Sequence, residues 1–364
     1  MLFIKQINHQ MKKINANGYS IELGGIVQSS FSALLKEKYA SAKIVIMVDE
    51  NTHDNCLEYL ITSFEELKEA EVMLLPAGEE NKVMEVCFQV FEALSEYEVG
   101  RKDVVINLGG GVVTDMGGFI ASVFKRGIDF INIPTTLLAM VDASIGGKTG
   151  IDLGPYKNQL GTFTNPKALF IDPSFLETLP SGELMNGYAE MLKHALIADA
   201  TYWEVLTSIK SLDELMEVSK IQTSIDIKNR IVTEDPKEAN VRKKLNFGHT
   251  VGHALEGYFL DKEPISHGYA VGLGMLAESY IAYNRTVLNE DDWMDIERVL
   301  TSVFPKIEIL EDEIEEIIAL MKNDKKNSEG EIKGCILIKI GECQFDQAYG
   351  KKELEEAIRY LKDL

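Results

Sequence analysis

A chain of 364 residues has the length of about two domains. Apolar residues make up 45% and charged residues 26%, which is ordinary globular usage and excludes a disordered, collagen-like or low-complexity chain. Lys and Arg number 37 against 58 Asp and Glu, a net charge of −21. So acidic a surface repels phosphodiester backbone and anionic lipid, so neither nucleic acid nor membrane is an expected partner, and an anionic small substrate needs a local basic pocket.

The first thirteen residues hold no apolar stretch with a small-residue cleavage site, and no run reaches the roughly 18 apolar residues of a membrane span. A soluble, cytoplasmic protein is expected. In chain order, Lys43–Val48 reads as a buried strand, 55–70 as a helix, Val72–Leu75 as a strand and 81–97 as a helix. Asp103–Leu108 and Phe130–Ile133 are further strands, the last stopped by Pro134. Strands alternating with helices predict a parallel α/β sheet. From about Pro180 the periodicity turns helical. The exception is a glycine-bounded β-like insert, Gly334–Gly341, while the acidic stretch Glu308–Glu316 reads as a solvated helix face. The predicted architecture is an N-terminal α/β domain over 1–178, a mostly α-helical C-terminal domain over 179–364, and a cleft between them. Four cysteines (Cys56, Cys87, Cys335, Cys343) form no C-x-x-C pair and read as small core or surface thiols; the last two fit opposite strands of a hairpin without demanding a bridge.

Chemistry concentrates in a few places. Gly109-Gly110-Gly111 follows a strand and leads into a helix predicted from Thr114. Without Cβ atoms a phosphate can approach the backbone closely, and a helix N-terminus offers N–H groups and a favourable dipole. Asp115 is placed to hold a ribose or nicotinamide group, and Asp49, at the end of an earlier strand, to accept from adenosine ribose hydroxyls. The acidic residue precedes the glycines, the reverse of the usual Rossmann order, so NAD bound here implies a variant Rossmann-like sheet. Three of the six histidines (His249, His253 and His267) fall within 19 residues, where even scatter places about 0.3. His249 and His253 share a helix face at i, i+4, a metal-ligand spacing without the H-E-x-x-H glutamate. Glu190 and His194 are further candidate ligands, and spacing alone leaves the choice among these five open. Basic residues at Arg126, Lys148, Lys157, Lys193, Lys228 and Arg242 suggest a small anionic substrate. The Lys148 loop lacks P-loop spacing, which argues against ATP there.

The runs Gly109–Phe119, Arg126-Gly127, Ile133–Thr149, Lys157-Asn158, Leu176–Pro180, Asn186–Lys193, Glu234–Glu238 and Leu245–His253 together resemble the 3-dehydroquinate synthase family. The likeness runs from about residue 43 to 340, and several long motifs in one order are far more specific than any single motif. Departures are slight: Gln159 follows the Lys-Asn pair, and Tyr188 stands where methionine is frequent. The resemblance implies an NAD-binding α/β domain, a helical metal-binding domain and conversion of 3-deoxy-D-arabino-heptulosonate 7-phosphate to 3-dehydroquinate and phosphate. Other sugar phosphate cyclases share the scaffold, and a net NAD-dependent metal alcohol dehydrogenase is the alternative from another class.

By resemblance, Glu190, His249 and His267 are the ligands of a divalent metal, Zn or Co. Asp49, Asn51, Glu79, Lys82, Gly110, Gly111, Asp115, Thr135, Thr136, Lys148, Lys157 and Thr178 would line NAD. Asp142, Lys148, Lys157, Asn158, Asn186, Lys193, Lys228, Arg242, Asn246 and His253 would hold the substrate. His253, Glu238, Lys148 and Asn158 would be catalytic, His253 through proton transfer and Glu238 as a second acid/base. Arg126 would reach the substrate phosphate in a neighbouring subunit, which implies a homodimer. A late lysine, Lys325 or Lys326, is a further expected contact. Lys228 and Arg242 together favour a substrate that carries a carboxylate.

Overall fold

The computed structural model describes residues 11–154, 156–260, 262–322 and 331–364. Lys325 and Lys326 lie outside them. The chain forms two compact units: residues up to Leu184 with Met216–Asn229, and Met185–Leu215 with Arg230–Leu364.

The first unit is built on a seven-stranded sheet. Its strands are β1 (Lys12–Ala16), β2 (Tyr19–Leu23), β3 (Ile44–Asp49), β4 (Glu71–Leu75), β5 (Val104–Gly109), β6 (Asp129–Pro134) and, after a separate hairpin of β7 (Lys148–Leu153) and β8 (Tyr156–Phe163), β9 (Ala168–Ile171). The order is β1-β2-β9-β6-β5-β3-β4, parallel except for the β1–β2 pair. β5 is buried throughout and β3 nearly so, which is why both read as unbroken apolar runs instead of alternating ones. From β3 the chain winds outward to β4, then returns to lay β5 on β3's other side. The winding therefore reverses between β3 and β5, and open α/β sheets bind ligands at the carboxyl ends of such a pair. That edge carries Asp49 at the end of β3 and Gly110 after β5, with Thr135 following β6.

The helix Gly111–Val123 packs on the sheet at very short range. A Cβ on Gly117 would stand 2.0 Å from Asn107 Oδ1. Asn107 is itself fully buried and donates through Nδ2 to Asn132 Oδ1 at 2.8 Å. A polar pair inside a parallel sheet fixes β5 against β6, because a shifted register would bury both amides unpaired.

The second unit is helical around one hairpin, β10 (Ile332–Lys339) with β11 (Glu342–Tyr349). Its centre is the pair of helices His249–Phe259 and His267–Asn284, which meet through glycine. A Cβ on Gly274 would fall 1.9 Å from Gly248 O, and one on Gly252 would fall 2.9 Å from Ala270 O. Gly248 adopts φ +78°, a left-handed conformation that glycine takes without strain.

Several elements differ from their sequence expectation. The helix expected over 55–70 starts at Glu50, because Asp49 caps it in a reciprocal box with Thr52, and it passes through a π-helical segment, His53–Leu57, before ending at Ser63. The helix after the triple glycine begins at Gly111, not Thr114. The insert near Gly334 is a full two-stranded hairpin, with Cys335 and Cys343 buried on opposite strands and not joined by a disulfide. The acidic stretch is solvated as expected, with Glu308, Glu311, Asp312, Glu315 and Glu316 exposed, but its α-helix begins only at Ile314. It carries surface ion pairs of Glu311 with Arg359 and Lys362, Glu313 with Lys262, and Glu315 with Lys351.

Gly274→Ala is expected to destabilise the protein by about 2–3 kcal/mol, since the obstacle is backbone that no side-chain rotation relieves. Urea unfolding measures it, with the neighbouring Ala277→Ser as a control.

Candidate active site

At the carboxyl edge of the first sheet, sequence and backbone together build a polar floor. Gly109 tolerates no side chain, because a Cβ would stand 2.5 Å from Val113 Cβ, and one on Gly110 would stand 3.0 Å from Thr136 Cγ2. Gly110 is the N-cap of Gly111–Val123 and Thr114 Oγ1 donates back to the carbonyls of Gly110 and Gly111, so the first helical turn opens on this edge. Thr135 N donates to Gly109 O at 3.0 Å, and Thr136 Oγ1 accepts from Ala139 N at 3.2 Å. Asp49 Oδ1 accepts from both Thr52 N and Thr52 Oγ1 at 2.8 Å. Asn51 lies exposed on the helix that follows. Thr178 hydrogen-bonds the Cys56 thiol, whose pKa burial and Asp49 push up to about 12.

Lys82 is the centre of the floor. It is 3% exposed and donates to Asp115 Oδ2 at 2.7 Å and Asn158 Oδ1 at 2.8 Å, with Glu79 Oε1 at 3.7 Å. Burial works against its charge, but Asp115, Glu79 and Asp152 outweigh burial and hold its pKa above the ordinary lysine value. Asn158 has φ +51° and donates its own N–H to Asp152 Oδ1 at 2.5 Å. Lys228 is likewise buried and donates to Asp142 Oδ1 at 2.6 Å. Lys148 is exposed and Lys157 half-buried on the β7–β8 hairpin. Arg126 does not join this group. It is exposed, left-handed at φ +67°, and sits beyond the far end of the helix that starts at Gly111, roughly 20 Å along its axis.

In the second unit, Glu190, His249 and His267 come together. Glu190 is fully buried; its Oε1 lies 3.5 Å from His249 Nε2 and 3.5 Å from His267 Nε2, and its Oε2 pairs with Lys193. Two ligands about 2.1 Å from a tetrahedral metal stand roughly 3.4 Å apart, so the trio has the spacing of a coordination shell. Each ring is also oriented from behind: His249 Nδ1 faces Phe247 O at 3.1 Å and His267 Nδ1 faces Glu256 Oε2 at 3.5 Å. A protonated Nδ1 on each leaves the Nε2 lone pair for a metal, and the three ligand atoms lie within 4.8 Å of one another. Burial opposes a charge on His267, but Glu190 and Glu256 outweigh it and raise its pKa to about 9; the same two carboxylates favour a bound cation. These residues therefore fit a divalent metal.

The neighbouring residues complete the group. His253 stands with its ring centroid 5.0 Å from His249 and 6.1 Å from His267. Asn186 Oδ1 accepts from Gly268 N at 2.9 Å, beside His267. Arg242 is 2% exposed and donates to Pro236 O at 2.7 Å, and Asn246 Nδ2 donates to Glu238 Oε1 at 2.8 Å. His194 is buried one turn beyond Glu190.

Comparison with known proteins follows the same division. The sequence profile of the 3-dehydroquinate synthase N-terminal domain matches residues 72–186, and that of its C-terminal domain matches residues 187–327. A 3-dehydroquinate synthase from Parabacteroides distasonis is 37% identical over 324 residues, spanning 88% of this chain and 92% of the relative. The chain belongs to the 3-dehydroquinate synthase family. Among solved structures, 2-epi-5-epi-valiolone synthase from Streptomyces hygroscopicus, with NAD+ and Zn2+ bound, is similar at TM-score 0.81 and 27% identity over 98% of this chain and 99% of that one. A 2-deoxy-scyllo-inosose synthase shares the fold at TM-score 0.84 and 23% identity, covering 96% of this chain and 100% of that one.

Two supporting carboxylates of this family member escaped the sequence reading. Glu256 orients His267 from behind; its one clue is its place one turn after His253. Glu278 is fully buried and accepts from Gly248 N at 3.1 Å and Val251 N at 3.4 Å. It supplies from another helix the cap that Gly248 lacks, at the N-terminus that presents His249. Nothing in the spacing announces it, since it reads as one glutamate in an apolar helix.

His249→Ala and His267→Ala are expected to lose bound metal, whereas His253→Ala keeps it. Glu256→Gln retains the ligands but weakens metal affinity about tenfold or more. Metal content after dialysis against graded chelator checks all four; equal loss from His253→Ala contradicts the trio.

Proposed function

We propose that this chain is a 3-dehydroquinate synthase, a phosphate-eliminating carbon–oxygen lyase acting on 3-deoxy-D-arabino-heptulosonate 7-phosphate and working in the cytoplasm. The observation that carries the reading is the convergence of two Nε2 atoms on the buried Glu190 carboxylate, in a chain 37% identical to a relative of that name. The dinucleotide role falls to residues 1–178 and the metal and substrate role to 179–364, with Met216–Asn229, and so Lys228, packing in the first unit. No helix among the described residues is long and apolar enough to cross a membrane.

When bound, NAD would supply reversible hydride transfer at a ring hydroxyl carbon, and a divalent metal, Zn or Co, held by Glu190, His249 and His267 would supply Lewis acidity toward neighbouring hydroxyls. The chain's own residues do the rest. Gly110 and Gly111 admit a pyrophosphate at the helix N-terminus. Asp49 has one oxygen committed to its helix cap, so a ribose contact falls to the other, with Asn51, Glu79, Thr135, Thr136 and Thr178 alongside. Lys82 keeps Asp115 and Asn158 in place. Lys148, Lys157, Lys193, Lys228 and Arg242 fix the carboxylate and phosphate of the substrate, with Asp142, Asn158, Asn186 and Asn246 on its hydroxyls. This is the orientation part of catalysis. The proton whose removal expels phosphate goes to the His253 imidazole or to the substrate phosphate itself, and Glu238 serves as a second acid/base group.

Arg126 belongs to the neighbouring subunit's substrate in a homodimer. Its position away from the Lys82 group supports this, as do the exposed Phe88 at 61% and Phe163 at 58% in the same unit. Phe88 continues into an aromatic row through Phe91 to Phe124, next to Arg126.

Enzyme supplied with NAD, zinc and the heptulosonate phosphate is expected to release phosphate and 3-dehydroquinate in equal amounts without accumulating NADH, and a chelator abolishes both. Stoichiometric NADH build-up supports the dehydrogenase alternative instead, and failure to turn over this substrate while another sugar phosphate cyclises supports a different cyclase. Arg126→Ala in one subunit and His253→Ala in the other should restore activity on mixing, because one active site of such a hybrid is intact; no complementation counts against the shared site.

A further inference from the structure

The helix Val218–Glu234 ends where the chain must turn sharply to reach Arg242. Pro236 contributes no N–H to that turn. Glu238 takes φ +59°, and Asn240 takes φ −140°, ψ −110°, conformations that such residues keep only where the surroundings impose them. Asp235, 8% exposed, imposes them. Its Oδ1 accepts from Ala239 N at 3.0 Å, and its Oδ2 accepts from Asn240 N at 2.6 Å and from Arg242 N at 3.1 Å. Both substrate-facing groups are tied to the loop so formed: Arg242 Nη1 donates to Pro236 O, and Asn246 Nδ2 donates to Glu238 Oε1.

We infer that Asp235 is a positioning residue for substrate recognition: its carboxylate folds the 235–242 loop and so aims Arg242, Glu238 and Asn246 at the anionic sugar acid. The inference rests on the functional reading above for what the loop recognises, and on the hydrogen bonds alone for how the loop is held. Only an ionised carboxylate suits the place. Three N–H donors engage both of its oxygens, one at Oδ1 and two at Oδ2. An asparagine of the same size would turn an NH2 toward one of those donors. Burial would push the Asp235 pKa up, yet the three N–H groups and Arg242 outweigh it and hold the carboxylate below its usual range.

Asp235→Asn tests the idea in the full-length protein loaded with NAD and zinc. Arg242 and Asn246 hold the substrate and Glu238 is an acid/base group, so KM for the heptulosonate phosphate is expected to rise about tenfold or more and kcat to fall with it, with KM for NAD and zinc content unchanged. A merely structural weakening lowers the active fraction and apparent kcat but leaves the substrate KM as it was. In the same holoenzyme, amide hydrogen exchange at Ala239, Asn240 and Arg242 should quicken about tenfold while His249–Phe259 keeps its protection. Unchanged exchange in the loop, exchange quickened uniformly, or an unchanged substrate KM overturns the inference. Asp235→Ser carries the same comparison if the asparagine variant does not fold. If the wild-type protein turns over no heptulosonate phosphate, the functional reading fails by itself, and the exchange arm still decides whether Asp235 holds the loop.

Discussion

The second unit is organised around a carboxylate that water does not reach. Glu190 has no exposed surface, and an ionised carboxylate in such a place must be met by positive charge or surrender its own. Lys193, one turn along the same helix, meets Oε2; Oε1 faces two imidazoles at a distance too long for strong hydrogen bonds and right for ligands of one ion. The glycine contacts at Gly248, Gly252 and Gly274 serve this arrangement. They let the backbones of His249–Phe259 and His267–Asn284 touch, so that histidines on two helices reach a carboxylate on a third. Glu278 completes it by holding the N-terminus from which His249 projects.

A second constraint is charge. The chain carries −21 overall, yet Lys82, Lys193, Lys228 and Arg242 are all nearly buried. Long-range repulsion of an anion is screened within about 8 Å at physiological salt, so what an anionic substrate feels on contact is local. Three of the cations come already matched with a carboxylate: Lys82 with Asp115, Lys193 with Glu190 and Lys228 with Asp142. Such pairing makes burial tolerable before any ligand arrives. It also means that these lysines position as much as they attract.

What was legible in the sequence follows from how local its physics is. The β3 and β5 runs could be read because strands buried on both faces are continuously apolar. The triple glycine and the clustered histidines stand out for similar reasons, since residue type and spacing carry the chemistry. The start of the β7–β8 hairpin, around Lys148, reads as a loop, and β1, β2 and β9 carry no comparable local signal. Their pairing is between segments far apart, as when β2 lies beside β9, and no short window encodes that. The helix after Asp49 was placed too late because its start is set by a cap, not by apolar periodicity. Spacing left five metal-ligand candidates open; the family motifs picked three of them, and those three converge in space. Glu256 and Glu278 went unseen because they act on other side chains and backbone across the fold.

Backbone strain marks the same places by another route. Outside glycine, left-handed φ occurs at seven described residues, and Arg126, Asn158 and Glu238 are three of them. Asn158 and Glu238 are stabilised in the same way although they lie in different units. An aspartate accepts backbone N–H groups from the turn, Asp152 from Asn158 and Asp235 from Ala239, Asn240 and Arg242. A buried or half-buried carboxylate gains most from N–H donors that regular pairing leaves over, as beside the register shift of the β7–β8 hairpin and in the 235–242 loop, so each aspartate and its irregular segment supply what the other lacks. The turn then holds a polar side chain at a fixed angle: Asn158 meets Lys82, and Glu238 meets Asn246. Arg126 is different. Its left-handed backbone follows another at Lys125 and is anchored by Arg101 Nε on Lys125 O at 2.9 Å, with the guanidinium left exposed. A side chain held out by a strained backbone, at the far end of the helix from its own glycine floor, is what supports the proposal that Arg126 serves a neighbouring subunit.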